Sequence, residues 1–202
     1  MSMLLLDQLP GLVCAVAALL VLLPLLSKLD LLPSRGRRFP FVLLVLYIGA
    51  LLQIVGLPAV PYFHFRPNIN LDILSDLDNT RFLLLSGLNV ALMVPLGILL
   101  PLCFPRYRRL GSVFGAGFLT SLTIELLQMF SSRATDIYDL LFNTLGACLG
   151  FTLLYWISGK RWKSYASPHR GDRTTLVISL AVTYLCYTLL HTPLSQLIWQ
   201  IL

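Results

Sequence analysis

Residues 84–130 read LLSGLNVALMVPLGILLPLCFPRYRRLGSVFGAGFLTSLTIELLQMF, and this stretch decides the fold. Two apolar blocks, about 84–104 and 110–130, flank a short connector that carries Arg106, Arg108 and Arg109. Each block is about as long as a helix that crosses a ~30 Å hydrocarbon core. Strands that span a membrane are shorter and alternate apolar with polar residues. In lipid a helix satisfies its own backbone hydrogen bonds, so the pair reads as a membrane hairpin.

Working outward, further blocks of the same kind lie at about 10–27, 39–58, 138–158 and 174–192. The fold expected is all-α: a polytopic integral membrane protein of about six transmembrane helices with short loops. The bulk composition agrees. Of 202 residues, 57% are hydrophobic and 12% charged, and the mean hydropathy is +0.81. A soluble domain of this size has too much surface to hide that much apolar area. No basic region precedes the first apolar run, which reads as a membrane helix rather than a cleaved signal peptide.

The net charge of +6 is explained by topology. Lys28, Arg35, Arg37 and Arg38 lie between spans one and two, Arg106, Arg108 and Arg109 between three and four. Lys160, Arg161, Lys163, Arg170 and Arg173 lie between five and six. The other connections hold only Arg66, Arg81 and Arg133. The positive-inside rule makes the basic side cytoplasmic, so both termini are expected to face outward. This leaves no nucleic-acid patch; anionic lipid headgroups are the partner such loops suit. Cys14, Cys103, Cys148 and Cys186 all fall inside apolar blocks without metal-ligand spacing and are expected to pack. No metal and no cofactor are expected.

Other features bear on packing. Gly111/Gly115 and Gly146/Gly150 have the small-xxx-small spacing that lets helices approach, here helices four and five. Pro95 and Pro101 are expected to kink span three. The outer loop 59–83 carries Asp72, Asp76 and Asp78 among apolar residues from Ile69 to Leu77 and suits a short amphipathic surface helix.

The polar residues within the spans are the functional candidates, because an ionisable group at a helix centre costs roughly 2.5–3.5 kcal/mol to insert. Asn89, Glu125 and Asn143 all fall about 7–8 Å below the outer boundary, on three different helices. Gln128 shares a helical face with Glu125, and Asp136, Asp139 and Asn143 share another. Arg133 sits in the connector between these faces. Structural roles compete: Asp136 or Asp139 as a helix cap, Asn89 and Asn143 as interhelical glue, Arg133 as a neutralising partner for the carboxylates.

Asn89 with Pro95-Leu96-Gly97, then Ser121 through Gln128, then Arg133, Asp136, Asp139, Asn143 and Leu145-Gly146 together resemble the VanZ-like family of membrane proteins. Arg66 followed by Asn70-Leu71 resembles the segment that precedes this block in the family. One departure is Tyr138, where the family more often carries a second acidic residue. The resemblance covers roughly 40–158. It divides the chain into a first helix and basic loop (1–38), a four-helix VanZ-like domain (39–158), and a basic loop, sixth helix and outer tail (159–202). It implies a bacterial cytoplasmic-membrane protein of the cell envelope, with founding members linked to low-level teicoplanin resistance.

Three functions follow as expectations. The first is a pocket of Arg66, Asn89, Glu125, Gln128, Arg133, Asp136, Asp139 and Asn143 that binds a membrane lipid, a lipid-linked cell-wall precursor or a lipoglycopeptide, its arginines suited to phosphate or carboxylate. The second is an intramembrane enzyme with Glu125 and Asp139 as acid and base, or with Glu125, Asp136 and Asp139 around a divalent ion. The third, ranked last, is a transporter with Glu125 as its ion site.

Overall fold

The computed structural model describes residues 3–57, 65, 69–70, 80–130, 135–159 and 171–201. Its helices are α1 (Met3–Lys28), α2 (Arg35–Val55), α3 (Thr80–Cys103), α4 (Leu110–Gln128), α5 (Ile137–Ser158) and α6 (Asp172–Ile201). All six are long and apolar enough to cross a membrane, and the chain is a multi-pass helical protein. Two helices outrun the spans read from sequence. Pro10 lies inside α1 and Pro193 inside α6, and neither ends its helix. Proline is tolerated in membrane helices because neighbouring groups can re-satisfy the backbone it leaves unpaired. In the same way α3 runs unbroken through Pro95 and Pro101.

The chain divides into two compact units, residues 1–63 with 170–202 and residues 64–169. The first contains α1, α2 and α6. Along α1 the fully buried face is Cys14, Ala15, Ala18, Leu22 and Leu26, and along α2 it is Phe41, Leu44 and Val45. Helices α1 and α2 meet at glycines: a Cβ on Gly49 would fall 2.8 Å from the Gly11 carbonyl oxygen and 2.4 Å from Ala15 Cβ. The inner face of α6 is different, because it buries Thr175, Ser179 and Thr183. Ser179 and Thr183 each donate to the carbonyl one turn back at 2.7 Å, which satisfies the hydroxyl within its own helix. Thr175 instead donates across to the Leu31 carbonyl at 3.1 Å.

Both ends of the α1–α2 hairpin carry a left-handed cap. Asp30 has φ 54°, and around it Asp30 and Leu31 donate to the Ser27 and Leu26 carbonyls. Gly56 has φ 62°, with Gly56 and Leu57 donating to Gln53 and Leu52. Each is the pair of bonds that closes the last orphan carbonyls of a helix.

In the second unit α5 packs against both α3 and α4. Its contact with α3 is backbone on backbone. A Cβ on Gly146 would fall 2.2 Å from the Val90 carbonyl oxygen, and one on Gly150 would fall 2.1 Å from that of Val94. Gly97 meets the Ala147 carbonyl equally closely. The expected pairing of helices four and five through glycine is therefore corrected. Gly146 and Gly150 serve α3, while Gly111 and Gly115 have no described atom within 4 Å of a would-be Cβ. The buried face of α4 is Val113, Gly117, Ser121, Ile124, Glu125 and Gln128, and Gly111 and Gly115 lie off it. Here Gly117 makes the close approach, to Ala147 Cβ. Val113, Ala147 and Phe151 form the buried core beneath Tyr107.

A two-residue parallel ladder, β1 (Ile69–Asn70) with β2 (Thr135–Asp136), adds a feature no apolar pattern announces. Ile69 is thus extended rather than part of a surface helix; residues 71–79, where the rest of that helix was expected, lie outside the described residues.

Candidate polar site in the second unit

Near the C-terminal end of α4, away from Arg106, Arg108 and Arg109 in sequence, stands Glu125, 3% exposed. Gln128 and Ser121 lie on the same face of α4 and are also buried. Residues four apart on a helix are stacked neighbours, which places Ser121 one turn below Glu125. From α5 come the half-buried Asp139 and the buried Asn143, one turn apart, about 3 and 9 Å along the helix from its start.

Hydrogen bonds tie these to a third helix. Asn89 of α3 donates through Nδ2 to Asp139 Oδ1. Ser121 donates to the Asp139 carbonyl oxygen at 3.4 Å. Asn143, itself buried, donates through Nδ2 to Ser121 Oγ at 3.0 Å. Side chains from all three helices, one from α3, one from α4 and two from α5, thus join a single node. The single depth expected for Asn89, Glu125 and Asn143 is instead split over two turns: Asn89 bonds Asp139, and Asn143, one turn further along α5, bonds Ser121, one turn from Glu125.

Ser121 was absent from the set of candidates. Its signal was available, since it lies four residues before Glu125, but a serine in a membrane helix normally bonds its own backbone and attracts no notice. The node also has an aromatic flank. Phe82 meets Tyr138 edge-on at 4.7 Å and Phe142 at 6.3 Å. Tyr138, the residue that departs from the family pattern, is buried there.

Asp136 immediately precedes α5. Helical spacing therefore links Asp139 with Asn143, while Asp136 belongs to the ladder opposite Asn70. Its backbone alone is described, so its side chain, like Arg66 and Arg133, lies outside the described residues. Among the described residues, Phe65 packs on Phe130 at 5.3 Å, and the Asn70 backbone pairs with that of Asp136. Of the carboxylate trio weighed for a divalent ion, Glu125 and Asp139 have described side chains.

A family model described as VanZ/LLP1 matches residues 12–158. The chain belongs to the VanZ/LLP1 family. The match begins within α1, earlier than the motif strings reached, and runs to the end of α5. Protein VanZ of Enterococcus faecium is 33% identical over 98 residues, which make up 48% of this chain and 57% of that protein. The chain thus spans a little over half the length of this VanZ relative. No solved structure matches. Within the VanZ/LLP1 match lie all the members of the node, Asn89, Ser121, Asp139 and Asn143, together with Glu125 and Gln128.

Proposed function

We propose that the node of α3, α4 and α5 binds the polar head of a cell-envelope lipid, or of a lipid-bearing ligand, while the tails remain in the bilayer. One observation carries this reading: Ser121, Glu125, Gln128 and Asn143 are buried together within helices long enough to cross a membrane. Burying so many polar groups in lipid is costly. Stability alone is served as well by apolar packing, since buried charges seldom gain over it. The basic loops favour an orientation in which this end faces outward from a bacterial cytoplasmic membrane, with both termini on the same side. Ligands of that leaflet include lipid-linked wall precursors and lipoglycopeptides. Membership of VanZ/LLP1 and the likeness to Protein VanZ support a role in teicoplanin resistance.

The test is expression in a glycopeptide-susceptible host without an outer membrane. Teicoplanin and vancomycin susceptibility are compared for wild type, Glu125→Gln and Asn89→Leu at matched membrane abundance. Reduced teicoplanin susceptibility with wild type alone is expected. Variants as protective as wild type would separate the node from the function, and an inactive wild type would remove the resistance role.

A further inference from the structure

We infer that the node selects a headgroup bearing free hydroxyls, a polyol or sugar, over one that ends in a quaternary ammonium or a bare phosphate. This rests on the lipid-binding reading above and names the chemistry of its ligand. Asn143 is 4% exposed, and its Oδ1 is buried without a hydrogen-bond partner among the described residues. Three bonds of the node are directed elsewhere. Asn143 Nδ2 donates to Ser121, the single hydroxyl proton of Ser121 goes to the Asp139 carbonyl, and Asn89 Nδ2 goes to the Asp139 carboxylate. The atom left over is an acceptor, on the buried face of α5 one turn from Asp139.

An orphan buried acceptor is costly, and more so in a medium of low dielectric. What completes it must donate a proton and must tolerate the carboxylates of Glu125 and Asp139 close by. A quaternary ammonium has no proton to donate. A bare phosphate offers mainly acceptors and brings negative charge to two acidic residues. A hydroxyl donates to Asn143 Oδ1, stays neutral, and accepts in turn from a second amide proton of Asn89 or Asn143.

The experiment uses the full chain purified in detergent and titrated with three lipids of identical short chains: dioctanoyl phosphatidylglycerol, phosphatidic acid and phosphatidylcholine. Bound lipid is counted by native mass spectrometry. Phosphatidylglycerol is expected to bind about tenfold more tightly than either of the others, the worth of one good hydrogen bond. In Asn143→Leu that advantage should fall to parity. Equal binding of phosphatidylglycerol and phosphatidic acid overturns the hydroxyl inference and leaves a lipid site that reads charge. An advantage that survives in a folded Asn143→Leu overturns the role of Asn143. Saturable binding of none of the three removes the lipid-binding reading itself. Should the variant fail to fold, the ranking of the three lipids on wild type decides alone.

Discussion

Gly97 and Ala147 hold α3 and α5 so close that a Cβ on Gly97 would fall 1.9 Å from the Ala147 carbonyl oxygen. That contact, repeated at Gly146 and Gly150, sets the spacing of the two helices that bring Asn89 to Asp139. Gly97→Ala and Gly150→Ala should each cost at least about 1–3 kcal/mol, the usual range for overpacking. The same change at Gly111 or Gly115, where no described atom stands within 4 Å, should leave stability unchanged or raised. Thermal unfolding in detergent checks both halves, and equal losses at all four positions would refute the packing account.

Asn89 and Asp139 should be energetically coupled. A double-mutant cycle with Asn89→Leu and Asp139→Leu is expected to give a coupling of about 0.6–2 kcal/mol, as for side-chain bonds between membrane helices. Additive losses would mean that the bond between them contributes nothing to stability.

Ser121→Ala removes the acceptor of Asn143 Nδ2 and the donor to the Asp139 carbonyl at once. We expect a loss of about 1–3 kcal/mol, because the buried Asn143 amide loses that acceptor. Ser121→Thr, which keeps the hydroxyl, should recover part of it. Chemical denaturation read by intrinsic fluorescence would distinguish the two variants.

Asp30 occupies the left-handed cap after α1. Asp30→Gly should be tolerated, since glycine adopts that conformation freely. Asp30→Val should cost about 1–2 kcal/mol, because a branched side chain there meets the following carbonyl. A denaturation series comparing the two with wild type is the check, and equal stability of both variants would argue against the cap.

Orientation is testable at Ser34, an exposed residue ahead of α2. Ser34→Cys, in a background whose four native cysteines are replaced by alanine, should resist an impermeant maleimide in intact cells and react after permeabilisation. Labelling in intact cells would invert the topology.

The six helices were legible because each depends only on an apolar run long enough for the bilayer, and a run of that length has few alternatives. Asn89, Glu125 and Asn143 were legible for a related reason: a polar residue is conspicuous against Leu and Val. Partner choice was not. Whether Gly146 faces α3 or α4 depends on the rotation of α5, which small-xxx-small spacing leaves open. Ser121 was hidden by its chemistry, as an unremarked hydroxyl that happens to face Asn143. The pairing of Ile69–Asn70 with Thr135–Asp136 joins residues far apart in sequence, and two extended residues carry no periodicity to read.

The bond from Thr175 to the Leu31 carbonyl has a bearing on biosynthesis. It joins the last helix to the turn between the first two, so the first unit closes only after the whole of the second has been made. Until then α1 and α2 reside in lipid with a face uncovered. The arriving α6 carries a line of hydroxyls, yet Ser179 and Thr183 enter already bonded to carbonyls of their own helix. The helix can therefore be inserted alone, without unmade bonds at those positions, and seek its place afterwards. Of these three hydroxyls Thr175 alone waits for a partner outside its helix, which makes it a marker of completed assembly.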